Sequence, residues 1–195
     1  MTRLPRLVCA TANPGKVAEI ALLLDGEVDL APRPPGVPDV IEDADTLVGN
    51  ARLKARAVCA AAGLAAVSDD TGLFVDALDG RPGVHTARFG GEPPNDAVNR
   101  RALLQALDGR SNRAAHFATV AMVVRPDGSE VVVEGRCDGT IGVEERGTRG
   151  FGYDALFVPD DGDGRTFAEM TDIEKNLVSH RARAFHALLD ALRPN

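Results

Sequence analysis

The sequence has few of the residues and patterns that mark several classes of protein. It contains 3 cysteines in 195 residues, and Cys9, Cys59 and Cys137 do not form a CxxC or Cys/His metal-binding spacing. Three reduced thiols are therefore expected rather than a disulfide framework. No run approaches the roughly 18 apolar residues of a membrane-spanning helix. The opening MTRLPRLVCATANPGK also lacks the apolar stretch of a signal peptide, so a cytoplasmic location is predicted.

An excess of positive charge is absent as well. The 29 Asp and Glu residues outnumber the 22 Lys and Arg residues, which leaves a formal net charge of −7. The chain thus lacks the electrostatic footprint of a duplex-DNA binder, and no nucleic-acid partner is expected. The length and the hydrophobic fraction of 44% suit one globular domain over residues 1–195.

The order of apolar patterns predicts an α/β fold with a mixed sheet. Apolar runs predict strands at residues 6–10, 64–68, 73–78, 116–125, 130–136 and 155–158. Helical spacing predicts helices at residues 17–24, 46–62 and 95–107. Asp69-Asp70-Thr71-Gly72 is expected to break the strand before it. A capping box at Thr171–Glu174 predicts a last helix toward Leu192, either continuous or interrupted.

The segment Thr11-Ala12-Asn13-Pro14-Gly15-Lys16 joins the first predicted strand to the first predicted helix. A hydroxyl, a carboxamide and an ammonium group occur together where a helix begins, and free backbone N–H groups at such a point favour an anion. All three side chains can donate hydrogen bonds to a triphosphate. The segment is not a Walker A loop, because GxxxxGK[ST] is absent. A capped helix followed by a surface lysine explains it equally well.

Two adjacent acids, Asp69 and Asp70, directly follow a predicted buried strand. Adjacent carboxylates repel one another unless a cation or donor compensates, and Mg²⁺ is often held by carboxylates and substrate phosphates. One acid can bind the metal while the same or a neighbouring acid orients the attacking water. Glu42, in an acidic cluster before the second helix, is then a candidate second ligand. The alternatives are an Asp-rich turn and, less consistent with adjacent acids, an aspartyl nucleophile.

Two of the eight aromatic residues (seven Phe, one Tyr) lie in the loop Gly150-Phe151-Gly152-Tyr153-Asp154. The glycines allow close approach to a ligand, a ring can stack on a nucleobase, and Asp154 can accept a ring N–H. The alternative is a glycine-rich turn whose aromatics anchor it to the core.

Lys175, Ser179, His180 and Arg181 form a basic cluster near the end of an acidic chain. On one ideal helix His180 lies about 140° and Arg181 about 120° round from Lys175, so the three share no face. Convergence on one ligand requires long side chains reaching round, or a break with Ser179 as a new cap. A solvated cationic face is the alternative.

Together these segments resemble the inosine/xanthosine triphosphate pyrophosphatase family, and the match covers almost the whole chain. The segments that carry it are Thr11–Lys16, Asn50-Ala51 with Leu53-Lys54-Ala55, Ser68–Leu73, Pro82-Gly83 with Ala87-Arg88, Gly150–Asp154, and Glu174-Lys175 with Ser179-His180-Arg181. Each segment is short, but their order and spacing are highly specific. The chain departs from the pattern at Ala155, where proline is usual, and at Gly49, where an acid is usual.

The resemblance implies an elongated α/β fold in which helices flank a mixed central sheet, with a cleft between two lobes, and it implies a homodimer. It also implies hydrolysis of inosine and xanthosine triphosphates, and their deoxy forms, to the monophosphate and pyrophosphate. Asp70 would be the catalytic base and a Mg²⁺ ligand, with Glu42 as the second ligand. The implied substrate-binding residues are Thr11, Ala12, Asn13, Pro14, Gly15, Lys16, Thr71, Phe151, Gly152, Tyr153, Asp154, Lys175, His180 and Arg181.

Two other functions stay open on the sequence alone. The same phosphate machinery can serve an enzyme that hydrolyses other triphosphates, such as pyrimidine or modified nucleotides. A nucleotide-binding regulator without turnover is the second alternative, although Asp69, Asp70 and Lys16 argue against it, because a pure binder does not need a base beside the metal.

Overall fold

The computed structural model describes residues 4–193, and helices and strands alternate along its first half. The helices are α1 (Pro14–Leu24), α2 (Leu47–Ala62), α3 (Asp96–Ala106), α4 (Asp172–Val178) and α5 (His180–Leu192). The strands are β1 (Leu4–Cys9), β2 (Val28–Ala31), β3 (Ala66–Val75), β4 (Pro82–Gly83), β5 (Ala114–Val124), β6 (Glu130–Ile141) and β7 (Phe157–Pro159). No helix within residues 4–193 has the length and apolarity needed to cross a membrane.

The strands form one mixed sheet in the order β2-β1-β3-β5-β6-β7, and β4 pairs with β3 off this path. β1 runs parallel to both neighbours, with Val8 opposite Ala31 on one side and Ala66 on the other. β4 is antiparallel to β3, and β7 is antiparallel to β6. The predicted α/β class, with helices flanking a mixed sheet, is therefore confirmed.

Contacts along the chain group the residues into two compact units. Of the described residues, the first unit contains 4–70, 119–135 and 181–193, and the second contains 71–118 and 136–180. Each unit has its own apolar core. The first core includes Leu7 of β1, Val67 of β3 and Phe185 of α5. In the second core, the Phe117 and Phe157 rings meet edge to face at 4.8 Å.

Helix α2 follows local rules closely, and its predicted span is confirmed. The Thr46 hydroxyl caps it by accepting from the Gly49 N–H at 3.0 Å. Gly63 ends it with a φ of 64°, and its N–H donates to the Cys59 carbonyl. The buried side of this helix is not wholly apolar, since it carries Asn50 and Lys54 one turn apart.

Strand β3 continues through Asp69-Asp70-Thr71-Gly72, so the predicted break there is wrong. Asp and Gly are depleted in strands because the neighbours of a strand residue rarely compensate a carboxylate or require a missing side chain. The neighbours of this part of β3 do. Cations compensate both carboxylates. At Gly72, a Cβ would lie 2.8 Å from the Gly83 carbonyl oxygen, so the glycine allows β4 to approach.

The predicted capping box at the start of α4 is confirmed, with reciprocal bonds between Thr171 and Glu174. The following helical segment is interrupted at one residue. Ser179 is extended, with φ −71° and ψ 152°, so α4 ends at Val178 and α5 begins at His180. The interrupted alternative for the last helix is thus the one observed.

The capping box generates a prediction about stability and pH. Hydrogen bonds from Arg165 and Thr171 lower the pKa of Glu174 from 4.5 to about 2. A lowered carboxyl pKa stabilises the fold above the unfolded-state pKa, and this contribution is lost as pH falls through the folded-state pKa. Glu174→Gln keeps an acceptor oxygen but removes the charge. We expect it to destabilise the protein at pH 7 and to approach the wild type between pH 4.5 and 2.

The measurement is urea unfolding of the wild type and the Glu174→Gln variant at pH values from 7 down to 2. A stability difference that stays constant with pH would show that the charge of Glu174 contributes nothing.

Candidate active site

The first unit contains a pair of buried carboxylates, Asp69 and Asp70, which are adjacent in β3. Successive side chains of a strand point to opposite faces, so the two acids have different partners. Asp69 Oδ2 lies 3.1 Å from Lys16 Nζ and 3.2 Å from Arg181 Nη2. Asp70 Oδ1 lies 2.9 Å from Lys54 Nζ. The repulsion between adjacent acids is therefore compensated by three cations from three helices.

Asp69 anchors one half of this cluster. Burial alone would raise its pKa, but the charges of Lys16, Arg181 and Lys54 outweigh burial and lower the pKa well below its ordinary value. Asp69 therefore remains ionised at any physiological pH. Arg181, itself buried, also bonds Glu19 of α1. Asp69 and Glu19 together more than offset the effect of burial and raise the pKa of Arg181.

Asp70 occupies a different environment. Burial raises its pKa, and the nearby charges of Lys54 and Lys16 offset only part of that effect. Its Oδ2 accepts from Asn50 Nδ2 at 3.3 Å, while the Lys54 ammonium also contacts Glu42 Oε2 at 3.1 Å. Asp70 is thus the acid of the pair that accepts a proton more readily. Glu42 contacts the same Lys54 ammonium group as Asp70.

The loop before α1 is a capped helix start. The Asn13 carboxamide oxygen accepts from the N–H groups of Gly15 at 2.9 Å and Lys16 at 3.3 Å, and Pro14 occupies the first helical position. The Thr11 hydroxyl accepts from the Asn13 N–H at 3.2 Å. Ala12, Asn13 and Pro14 are exposed. The helix start is therefore capped, but Lys16 is paired with Asp69 and is not a surface lysine, and the cap leaves the Asn13 Nδ2 group as a donor for a ligand.

The second unit contains the glycine-rich loop at residues 150–154. Asp154 Oδ2 accepts from the Phe151 N–H at 2.9 Å and from Lys175 Nζ at 2.7 Å. Lys175 Nζ also lies 5.3 Å from the Phe151 ring centroid. The Tyr153 hydroxyl donates to the Thr86 carbonyl at 3.0 Å, and burial raises the pKa of Tyr153. Asp154, considered above as a reader of a base edge, uses Oδ2 to hold its own loop and Lys175.

The basic cluster at residues 175–181 is divided between the units. Lys175 and His180 belong to the second unit, and Arg181 belongs to the first. The His180 ring is buried and stacks on Phe117 with centroids 4.4 Å apart. Lys175 joins Asp154, and Arg181 joins Asp69. Thr71, half-buried, follows Asp70 as the first residue of the second unit.

Comparisons with known proteins identify the family of this arrangement. The model of the Ham1 family matches residues 7–191. The chain belongs to the Ham1 family. It is 47% identical to the dITP/XTP pyrophosphatase of Caulobacter vibrioides, covering 96% of this chain and 97% of that protein. It is also 47% identical to the dITP/XTP pyrophosphatase of Streptomyces coelicolor, with the same coverage.

The fold is shared with solved Ham1 structures. A HAM1 protein from Coxiella burnetii superposes with a TM-score of 0.86 at 37% identity, covering 97% of this chain and 98% of that one. The sheet and helices described above are therefore those of the Ham1 fold.

Lys54 and Asn50 of this Ham1 site were not among the predicted site residues. Lys54 bridges Asp70 and Glu42. Asn50 donates to Asp70 and accepts from the Ala44 N–H at 3.0 Å, so it joins Asp70 to the segment that contains Glu42. A signal for them exists in the sequence. They stand four residues apart on a helix face whose other members, such as Ala51, Ala55 and Val58, are apolar and buried.

The glycine-rich loop of this Ham1 chain generates a prediction about stability. Gly150 and Gly152 both have positive φ, at 72° and 60°, but a Cβ at Gly150 would overlap with Asp154 Oδ2, whereas one at Gly152 would meet nothing within 4 Å. Gly152→Ala should cost only the left-handed strain of about 1–2 kcal/mol. Gly150→Ala should also displace the buried Lys175–Asp154 pair and cost about 3 kcal/mol or more.

Urea unfolding of the two variants checks this difference. Equal destabilisation by both substitutions would contradict the assigned contact between Gly150 and the Asp154 carboxylate.

Proposed function

We propose that this chain hydrolyses inosine and xanthosine triphosphates, and their deoxy forms, to a nucleoside monophosphate and pyrophosphate. The observation that carries the proposal is the buried Asp69–Asp70 pair of β3, surrounded by Lys16, Lys54 and Arg181. Such a cluster joins cations suited to a polyphosphate with a carboxylate suited to act as a base. The relatives named dITP/XTP pyrophosphatase support the choice of substrate.

The phosphates bind, in this proposal, at the loop Thr11–Lys16. The start of α1 offers backbone N–H groups and a favourable dipole, and Asn13 adds its Nδ2 donor. Lys16 is held in place by Asp69, because its ammonium lies 3.1 Å from Oδ2 and its side chain is only 14% exposed. A cation held in advance by a buried carboxylate loses little entropy when the substrate arrives.

Magnesium is the proposed cofactor, and the donor set fits it. Glu42 and Asp70 both lie within about 3.1 Å of the Lys54 ammonium, so two carboxylates already converge on one cation. Mg²⁺ prefers oxygen ligands and usually combines one or two carboxylates with phosphates and water. Within residues 4–193 no group of three or more His, Cys, Asp or Glu residues could hold a metal, so substrate and water would complete the shell.

The reaction follows from the chemistry of these groups. A water molecule attacks the α-phosphorus and gives its proton to Asp70, the bond from the α-phosphorus to the bridging oxygen breaks, and pyrophosphate leaves. The raised pKa of Asp70 favours acceptance of that proton. When bound, Mg²⁺ offsets negative charge on the phosphates. Lys16 and Lys54 act in the same way on the developing charge.

Base recognition is assigned to the second unit. Phe151 stacks on the purine, with Gly152, Tyr153 and Thr71 shaping its surroundings, while Asp154 supports this role by holding Phe151 and Lys175. Selectivity for the 6-oxo edge is assigned to His180, Arg181 and Asp154, and Lys175 completes the nucleotide site. A site that pairs with an oxo group leaves its donors unpaired when a 6-amino group binds instead.

The proposal also includes a cytoplasmic homodimer without a nucleic-acid partner. The net charge of −7 supports the last point, and the family resemblance supports the first two. Light scattering on a size-exclusion column tests the dimer.

A substrate panel tests the proposed activity. Pyrophosphate release is measured with Mg²⁺ from inosine, xanthosine, adenosine, guanosine and cytidine triphosphates at one subsaturating concentration. We expect strong preference for the first two. Equal rates on all five would retain the pyrophosphatase and reject the base assignments, whereas no release from any would favour a nucleotide-binding regulator.

Removal of the proposed base gives a second test. Asp70→Asn should reduce kcat by about 10²–10⁴-fold, because the amide cannot accept the proton of water, and should affect nucleotide binding much less. Asp108→Asn, the same chemical change at an exposed position, is the matched control. Normal turnover by the Asp70 variant would show that another group is the base.

A further inference from the structure

Helix α3 presents three polar side chains to nearby backbone groups. Asp96, Asn99 and Arg100 are spaced i, i+3 and i+4, so they lie on one face of the helix. Asn99 is buried, accepts from the Gly90 N–H at 2.7 Å and donates to the Ala87 carbonyl at 2.8 Å. Asp96 and Arg100, one turn apart, both reach Gly152. This face of α3 therefore supports two loops of the second unit.

Both polar groups of Gly152 are used by α3. The Gly152 N–H donates to Asp96 Oδ2 at 2.8 Å, and its carbonyl accepts from Arg100 Nη1 at 2.9 Å. Arg100 is held in turn, since its Nε lies 2.9 Å from Glu145 Oε2 and its side chain is 19% exposed. A loop residue with a φ of 60° and no side chain is thus fixed by two charge-assisted bonds from a helix.

These bonds bear directly on Phe151. Its own N–H donates to Asp154 at 2.9 Å, and the next residue is held by Asp96 and Arg100. The backbone is therefore fixed on both sides of the Phe151 Cα, which limits where the half-buried ring can lie. Asp154 holds the Phe151 backbone from within the loop, and Lys175 contacts Asp154 from α4. Asp96 and Arg100 hold the next residue from a separate helix, α3.

We propose that Asp96 and Arg100 are positioning residues that hold the Phe151 ring ready for the nucleobase and so set the affinity for purine triphosphates. This inference rests on the proposed function, in which Phe151 stacks on the base. Stacking depends strongly on the placement of the ring, and a ring placed before binding loses less entropy on binding. Neither residue touches the reacting phosphates in this assignment, so the chemical step is independent of them.

A purely local role for Asp96 is the competing explanation. Asp96 stands in the first turn of α3, where a negative charge interacts favourably with the helix dipole. Asp96→Asn separates the two roles, because it keeps an acceptor oxygen for the Gly152 N–H but loses the charge. Asp96→Ala loses both. The positioning role predicts recovery in the Asn variant, whereas the dipole role predicts that both variants behave alike.

The experiment compares Asp96→Ala, Asp96→Asn, Arg100→Met and the control Arg101→Met in the full-length protein. Arg101 is exposed on the same helix and lies about 100° round from Arg100. Steady-state kinetics with inosine triphosphate give kcat and KM separately, and hydrogen exchange of the 150–154 amides reports on the loop without turnover.

We expect Asp96→Ala and Arg100→Met to raise KM about tenfold, with kcat within about twofold of the wild type and faster exchange at the loop amides. Asp96→Asn should recover most of the wild-type KM and exchange rate, because it keeps the acceptor and loses only the charge assistance, and Arg101→Met should match the wild type in both measurements. Faster loop exchange with unchanged KM would overturn the inference, as would equal effects of the two Asp96 variants. A wild type that hydrolyses none of the triphosphates overturns the proposed function itself, so the two failures are distinguishable.

Discussion

The first unit depends on the neutralisation of two adjacent carboxylates inside β3. Breaking a buried ion pair by removing one partner commonly costs about 3–5 kcal/mol, so Asp69 and Asp70 require their cations wherever the strand is buried. Lys16, Lys54 and Arg181 supply that charge from α1, α2 and α5. The strand can continue through a sequence that normally ends one because these three helices are in place. The same ion pairs therefore stabilise the fold and form the candidate site.

The two acids differ in their pKa and in their partners, because successive side chains of a strand point to opposite faces. Asp69 has two close cations, which keep its pKa low, and it acts as a fixed negative charge that orients Lys16 and Arg181. Asp70 has one close cation, shared with Glu42, and burial leaves its pKa raised. In the proposed reaction, one carboxylate thus holds the phosphate-binding lysine, while its neighbour retains the basicity that proton transfer needs. Neither role can be assigned from the Asp-Asp dipeptide alone.

Predictions succeeded where structure depends on nearby residues. The limits of α2 follow from the Thr46 cap and Gly63, and the start of α4 follows from its capping box. The predictions were wrong or incomplete where the local structure depends on residues that are distant in the sequence. The continuity of β3 through Asp70 depends on Lys54 and Gly83, and β2 has only four residues, too few for a clear pattern. Lys54 was present in a recognised segment, but its partners become visible only in three dimensions.

Motif residues in this protein often hold the backbone of their own segment. The Asn13 oxygen caps α1 and Asp154 accepts from the Phe151 N–H, whereas Asp96 accepts from the Gly152 N–H from a separate helix. A side chain that bonds its own loop leaves fewer groups for a ligand, yet it decides where the remaining donors and rings lie. In the proposed function, polar residues of the glycine-rich motif therefore contribute to recognition mainly through the geometry they impose. For the same reason, substitutions that preserve an acceptor oxygen discriminate between positioning and charge more sharply than truncation to alanine.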